Sequence, residues 1–309
     1  MSADVTVAAC DQSTLRPTLE WLYREQPSAE QYKLAESAAS ELSGDDLIAA
    51  SRGGAIVGAI MTQVAAGRVG WLFAPTVAEP GATSSSRRPI SERLIAAGIA
   101  RLKTARVRIA QALLPLDAEF GDLLEQNGFR RFTEMIRMVC RCEMRKSAAR
   151  ESPDLEFVSF DDERRHVFED IVARTYESSR DCPELDGLRP VSDVLDSYRA
   201  GGNFRPELWQ LASHGGEFVG CVLLTEFADE HRCELQYMGV MPAARGQRLG
   251  LSLCSRAISL ANECGAHELW LSVDARNEPA IRHYRTAGFD EIERRRVYIL
   301  RFSADTADG

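Results

Sequence analysis

Two glycines and two arginines lie close together in the stretch 240–253, which reads VMPAARGQRLGLSL. The stretch starts at the end of an apolar run and continues into a run with the apolar spacing of a helix. Main-chain N–H groups of such a turn, with the helix N-terminus behind them, attract anions. Gly246 and Gly250 let a backbone approach phosphate closely, and Arg245 adds a charged donor. The pattern predicts a phosphate-binding turn.

Two common phosphate loops do not fit this turn. No Gly-Lys-Ser/Thr follows, which excludes a Walker loop, and the spacing from Arg245 to Gly250 is not G-x-G-x-x-G. Arg248 stands where a further glycine would help. The spacing alone also leaves open a plain solvated turn.

The elements that must position this turn alternate along the second half of the chain. Apolar periodicity predicts the order β-α-α-β-β-β-α-β-α-β. The predicted elements are 155–160, 163–176, 191–198, 208–213, 217–225, 233–240, 249–264, 268–273, 278–287 and 292–302. This order predicts an α/β (α+β) fold with a mixed, mostly antiparallel twisted sheet flanked by helices.

The chain also repeats itself. Ser51-Arg-Gly-Gly-Ala-Ile-Val-Gly58 matches Ser213-His-Gly-Gly-Glu-Phe-Val-Gly220, and Gln126-Asn-Gly-Phe129 matches Thr286-Ala-Gly-Phe289, with offsets of 162 and 160 residues. A period this long indicates two whole domains. We place them at 1–148 and 149–309, with a hinge over 146–154.

Bulk composition narrows the class of protein. The 309 residues carry a net charge of −9, and the acidic excess lies in residues 151–309, which argues against nucleic acid as the main partner. The absence of a long apolar run and of a basic leader predicts a cytoplasmic protein without a membrane partner. The eight cysteines include no Cys-x-x-Cys pair, so we expect buried free thiols and no metal site.

Residues 155–302 resemble a GCN5-related N-acetyltransferase (GNAT) domain. The family signature Arg/Gln-x-x-Gly-x-Gly/Ala appears as Arg245-Gly-Gln-Arg-Leu-Gly250. A second family motif appears as Asn277, Ala280, Tyr284 and Gly288-Phe289. The resemblance implies acetyl-CoA as co-substrate and direct transfer to an amine acceptor, which the acidic surface suggests is cationic. It departs from the family pattern at Arg248, where glycine is usual.

The resemblance also assigns roles to single residues. The turn would grip the CoA pyrophosphate, and the strand edge Met238–Val240 would hold the pantetheine and thioester. Tyr284 would protonate the leaving thiolate, and Glu234 would act as base, directly or through water. We expect Tyr237, three residues along the strand from Glu234, to point to the opposite face. The full set of implied cofactor-binding residues is Met238, Val240, Arg245, Gly246, Gln247, Arg248, Leu249, Gly250, Leu251 and Asn277.

Arg248 and Asn277 each have a structural alternative. Arg248 either adds a cation near the phosphate or is a surface residue that never touches ligand. Asn277 either binds the CoA arm or caps the helix that follows it.

The first copy lacks this set of residues. Leu124 occupies the place of Tyr284, and the segment 80–90, which we expect to be a flexible loop, replaces the glycine turn. The first domain is therefore predicted to be a degenerate copy that does not bind acetyl-CoA productively, although Arg87 and Arg88 leave weak phosphate binding open.

The acceptor and the class of function stay open. Four carboxylates, at Glu177, Asp181, Glu184 and Asp186, lie in one loop that either holds an ammonium acceptor or is simply polar. Tandem domains with an active second copy also resemble mycothiol synthase. A non-catalytic acetyl-CoA sensor or scaffold is the alternative from another class.

Overall fold

The computed structural model describes residues 4–24, 44–78, 84–118, 120–142 and 154–302. The chain divides into two compact units, Met1–Phe132 with Arg296–Gly309, and Thr133–Arg295. The predicted hinge lies outside the described residues except for its last position. No helix in the described ranges is long and apolar enough to cross a membrane.

The first unit is built on a sheet with the strand order β1-β2-β3-β4-β6, and β5 lies off this path and pairs with β3. Neighbours are antiparallel except β4 and β6, which run parallel. The elements are β1 (Val5–Ala9), α1 (Leu15–Leu22), β2 (Leu47–Arg52), β3 (Ala55–Ala65), β4 (Val69–Leu72), β5 (Thr76–Val77), α2 (Ser84–Thr104), β6 (Ile109–Pro115) and α3 (Gly121–Gln126).

The long helix α2 corrects one prediction. The flexible loop expected over 80–90 is wrong from Ser84 onward, because this part of the segment is helical; residues 79–83 are not described. Ile90, Leu94 and Leu102 are buried in the core of the unit. This apolar face, buried against the sheet, stabilises the helix despite the proline at position 89.

The second unit has the predicted order of elements, which confirms the fold class. Its sheet runs β7-β12-β11-β10-β9-β8, antiparallel except for the pair β11 and β12. The elements are β7 (Arg130–Arg141, from Thr133 onward), β8 (Leu155–Ser159), α4 (Arg165–Tyr176), α5 (Val191–Arg199), β9 (Trp209–His214), β10 (Glu217–Phe227), β11 (Arg232–Val240), α6 (Leu249–Glu263), β12 (Glu268–Asp274), α7 (Glu278–Ala287) and β13 (Asp290–Arg301, as far as Arg295).

Two apolar clusters cover the two faces of this sheet. One contains Leu253 and Ala257 of α6, Ile281 of α7 and Leu271 of β12. The other surrounds Phe168 of α4 and includes side chains of α5, β9 and β10. The helices are therefore amphipathic elements held by burial of one face, the interaction that contributes most to their stability.

The compact units divide the chain at different points from the sequence boundary at 148/149. Ile136 and Met138 of β7 are buried in the core of the second unit, where β7 pairs with β12. Tyr298, by contrast, is buried in the core of the first unit, with Leu300 and Phe302 packed against it. Most of β7, which ends the first sequence repeat, thus belongs to the second unit, and the last part of β13, which ends the second repeat, belongs to the first unit. Local sequence patterns do not encode this choice of partner.

Candidate active site

A bulge and a parting of strands create a cavity in the second unit. The parallel pairing of β11 with β12 ends at Leu235 and Leu271. The pairing of β11 with β10 slips at the same level, which leaves Gln236 as an extra residue. Beyond this point the two strands line a cavity of about 440 Å³, a volume in the usual range for small-molecule sites. The edge of β11 that faces the cavity has no strand partner there in the described pairing.

The cavity gathers most of the residues that the sequence motifs predicted. Nine of them line it: Met238, Val240, Arg245, Gly246, Arg248, Leu249, Gly250, Asn277 and Tyr284. The remaining three, Glu234, Gln247 and Leu251, are not among the residues that line it. The main-chain N–H of Leu251 donates instead to the Arg248 carbonyl at 3.1 Å.

The predicted phosphate turn has the backbone shape of an anion cradle. After a short 3-10 turn at Pro242–Ala244, Gly246 has φ +83° and Arg248 has φ +63°, and α6 starts at Leu249. Left-handed residues before a helix N-terminus turn main-chain N–H groups toward one concavity. A side-chain carbon added at Gly246 would meet nothing within 4 Å among the described atoms. The space above this backbone is open to a ligand.

Arg248 occupies the strained position of the turn. Its left-handed backbone explains why glycine suits this place, because only glycine adopts such angles without steric cost. Its side chain makes no capping hydrogen bond to the described first turn of α6.

Arg245 has a structural contact set that the motif did not reveal. Its guanidinium donates to the carbonyls of Thr175 at 3.0 Å, Val240 at 3.2 Å and Ser178 at 3.3 Å. It therefore ties the end of α4 to the end of β11 across the mouth of the turn.

Tyr284 lies in the cavity wall with only 8% of its surface exposed. Its ring packs against Phe289 at a centroid distance of 5.7 Å. Burial raises the pKa of the phenol well above its ordinary value, and the nearby Cys254 and Asp181 raise it further. The phenol therefore stays protonated at neutral pH, the state that a proton donor needs.

Asn277 caps α7, one of its two expected roles. Its side-chain oxygen accepts from the Ala280 N–H at 3.4 Å, a long bond at the position where a cap is expected. Asn277 also lines the cavity.

Glu234 and Tyr284 are not brought together in the cavity. Glu234 accepts a hydrogen bond of 3.2 Å from Arg232, which stacks on Phe227. The expectation that Tyr237 faces away from Glu234 is wrong. Leu235 packs on the α6 side of the sheet, so its neighbour Glu234 points to the α4 side. Tyr237 also packs on the α4 side, because the bulge at Gln236 reverses the alternation of side chains.

The acidic loop between α4 and α5 does not present four carboxylates to one point. Glu184 is held by the guanidinium of Arg276 through bonds of 2.6 and 2.9 Å, while Glu177 and Asp186 are exposed. Asp181 alone among the four lines the cavity. The sequence marks Asp181 only as one member of the cluster, because no periodicity shows which side chain of a loop turns inward.

Comparison with known proteins defines the class. Residues 172–289 match the family model described as Acetyltransferase (GNAT) family. This stretch is a GNAT acetyltransferase domain, and the protein that carries it is an acyltransferase. The cavity described above lies within it.

Sequence relatives agree on the class and differ in acceptor. An uncharacterized N-acetyltransferase of Mycobacterium tuberculosis is 26% identical over 125 residues, which are 38% of this chain and 78% of the relative. A mycothiol acetyltransferase of Streptomyces bingchenggensis is 37% identical over 95 residues, 31% of each chain. A streptothricin acetyltransferase of Streptomyces lavendulae is 36% identical over 74 residues, 24% of this chain and 39% of the relative. The chain spans less than half the length of the last two.

Solved structures match almost the whole chain. A GCN5-related N-acetyltransferase from Sphaerobacter thermophilus superposes with a TM-score of 0.65 at 17% identity, over 96% of this chain and 95% of that one. A tandem GNAT protein from the clavulanic acid biosynthesis pathway gives a TM-score of 0.56 at 15% identity, over 96% and 98%. These likenesses are evidence of fold, and they confirm the mixed-sheet architecture and support its tandem organisation.

Proposed function

We propose that the second unit transfers an acetyl group from acetyl-CoA to a primary amine, by direct attack within a ternary complex. The observation that carries this proposal is the cavity between β11 and β12. It has an anion cradle among its lining residues, a strand edge along its wall and a buried phenol facing into it.

The chain's own residues fit acetyl-CoA in three places. The N-terminus of α6 and the open backbone at Gly246 suit the pyrophosphate. The edge Met238–Val240 offers main-chain groups to the pantetheine arm and to the thioester carbonyl, where hydrogen bonds stabilise negative charge as it develops. Arg245 supports the cradle by fixing its flanks.

Tyr284 is the proton donor in this proposal. It is a buried, protonated phenol in the cavity wall, and the thiolate leaving the thioester needs one proton. Glu234 was expected as base, but its contact with Arg232 and its place outside the cavity lining require a chain of water for that role.

The first unit does not share this chemistry in our proposal. Leu124, where the second copy has Tyr284, is 2% exposed and packs in the core. A buried aliphatic side chain has no proton to donate.

Binding of acetyl-CoA is tested with a matched pair of glycine variants. Gly246→Asp places a negative charge in the cradle. Gly265→Asp makes the same change at another open, left-handed position, φ +79°, just after α6. We expect acetyl-CoA to raise the Tm of the wild type and of Gly265→Asp, but not of Gly246→Asp. Equal shifts in all three proteins would place the cofactor elsewhere.

Turnover is tested with acetyl-CoA and a panel of primary amines, with free CoA as the product measured. Tyr284→Phe should keep the thermal shift and lose about 100-fold or more in kcat, the usual contribution of a general acid. Binding without turnover of any amine by the wild type would favour the alternative of a non-catalytic sensor. One relative is named a mycothiol acetyltransferase, which favours including the amine precursor of mycothiol in the panel.

A further inference from the structure

Asp181 is the acidic side chain that lines the candidate cavity. Ser178, Ser179 and Arg180 of the same loop also line it, as does Thr175 near the end of α4. Facing strands contribute Gln236 and Ser272 to the same cavity. A carboxylate among hydroxyl and amide groups is a suitable environment for a group with several N–H donors.

The position of Asp181 is fixed by the elements that carry the rest of the site. Its Oδ1 accepts from the Asp274 N–H at 2.9 Å. In return, the Cys182 N–H donates to Asp274 Oδ2 at 3.2 Å. The Asn277 side chain is one of the groups that lower the pKa of Asp181. The carboxylate is therefore positioned by Asp274 at the end of β12, the strand that leads into α7 and Tyr284.

The charge of Asp181 acts on two tyrosines that line the same cavity. It contributes to the raised pKa of Tyr284 on α7, and of Tyr237 on β11. Asp181, Tyr237 and the proposed proton donor Tyr284 line the same cavity, and Tyr237 OH lies 2.8 Å from Thr175 Oγ1.

We propose that Asp181 receives the ammonium group of the acceptor and removes its proton, so that the acceptor is a cationic primary amine. This inference rests on the proposed acetyl transfer. It assigns to Asp181 the direct role that the geometry does not give to Glu234, which lies outside the cavity lining.

The proton balance closes with these two side chains. The ammonium gives one proton to Asp181, and the neutral amine nitrogen forms the bond to the thioester carbon. As the carbon–sulfur bond breaks, Tyr284 gives its proton to the sulfur and takes the remaining excess proton from nitrogen. Asp181 then releases its proton to solvent, and the products are an amide and free CoA.

Burial raises the pKa of Asp181, which makes it a better proton acceptor than an ordinary aspartate. The hydrogen bond from the Asp274 backbone opposes this shift, and the charge of Asp274 adds to it. Several titratable and charged groups change the pKa of Asp181 or have their own pKa changed by it: Cys182, Tyr198, Tyr237, Asp274, Arg276 and Tyr284. Arg180 is its charged neighbour in the same loop.

The test compares Asp181→Asn with two other carboxylate replacements. Asp181→Asn keeps an acceptor oxygen for the Asp274 N–H, and Asp186→Asn changes an exposed residue of the same loop that does not line the cavity. Initial rates are measured with acetyl-CoA and spermidine, glucosamine, tyramine or a blocked lysine peptide, at several pH values. Glu234→Gln is measured beside them.

We expect Asp181→Asn to lower kcat/KM for the accepted amine about 100-fold or more, while the thermal shift with acetyl-CoA is unchanged. The acidic limb of the wild-type pH profile should disappear with the carboxylate, and Asp181→Glu should restore part of the rate. Asp186→Asn should behave as wild type.

Two outcomes would overturn the inference while the proposed function stands. One is normal kcat/KM in Asp181→Asn. The other is a loss confined to Glu234→Gln. Failure of the wild type to acetylate any amine in the panel is a different result, because it contradicts the proposed function itself.

Discussion

The guanidinium of Arg276 lies 2.6 Å from the Asp274 carboxylate, measured from Nη2 to Oδ2, and this carboxylate is fully buried. The same guanidinium holds Glu184 through a second pair of bonds. One arginine thus joins the end of β12 to the loop that carries Asp181. An ion-pair network therefore helps to hold this loop in place at the cavity.

Arg276→Gln should destabilise the fold by about 2 kcal/mol at neutral pH, the scale of hydrogen bonds to charged groups. Arg282→Gln, which breaks an exposed pair with Glu278, should cost no more than about 0.5 kcal/mol. The free energy of unfolding in urea measures both. If Arg276→Gln lost no more stability than Arg282→Gln, the ion-pair network would not contribute to the stability of the fold.

The same variant has a predicted pH dependence. Burial alone raises the pKa of Asp274, but the hydrogen bonds from Arg276 and Thr133 hold it below the ordinary value; Arg276 likewise lowers the pKa of Glu184. Lowered carboxylate pKa values give stability that is present above the ordinary value and is lost as pH falls through the lowered one. The difference in the free energy of unfolding between wild type and Arg276→Gln should therefore shrink below about pH 4. A constant difference down to pH 3 would contradict this.

Arg248→Gly should leave acetyl-CoA affinity within about threefold if main-chain N–H groups grip the pyrophosphate. The change removes the steric cost of a left-handed arginine, about 1 kcal/mol, and adds a comparable entropy cost in the unfolded chain. Arg248→Val, whose branched carbon fits this backbone poorly, should lower the Tm by several degrees. Titration calorimetry and thermal melts measure the two effects. A tenfold loss of affinity in Arg248→Gly would instead assign the arginine cation a direct contact.

Gly239→Ala should destabilise the second unit by about 1–3 kcal/mol, the range for overpacking. A side-chain carbon there would lie 2.6 Å from Thr175 Oγ1 and 2.9 Å from Tyr237 OH. Adding Thr175→Gly removes both Oγ1 and the Thr175 Cβ, which would lie 2.7 Å away, so the double variant should be more stable than the sum of the single changes indicates. Strict additivity in urea unfolding would exclude the clash as the cause.

Cys264 should be the most readily alkylated of the described thiols near neutral pH. Its Sγ lies 3.1 Å from that of Cys233, and this thiol–thiol hydrogen bond lowers the pKa of Cys264 and raises that of Cys233. Iodoacetamide labelling followed by peptide mass spectrometry should therefore show a midpoint below the ordinary thiol value of 9.0. Cys182, whose pKa is raised by burial, is the internal control. A midpoint near 9 at Cys264 would refute the prediction.

Local sequence patterns were sufficient for the order of elements in the second unit and for the place of the glycine-bearing turn before α6. The helix α6, for example, combines a glycine-bearing start with an apolar face, and both are properties of neighbouring residues. The same holds for Asn277 as the cap of α7. The motif also marked Tyr284, because its distance from Gly288-Phe289 is fixed within one helix.

The sequence by itself therefore determined which segments are strands and helices and where the cradle lies, since these depend on periodicity and turn residues. Only the tertiary structure decided which sheet β7 joins, because apolar strands of equal pattern suit either core and long-range packing selects between them. It also decided that the bulge at Gln236 turns Tyr237 toward α4. Finally, it decided that Asp181 rather than Glu234 lines the cavity, because side-chain direction in a loop or beyond a bulge is set by partners distant in the chain.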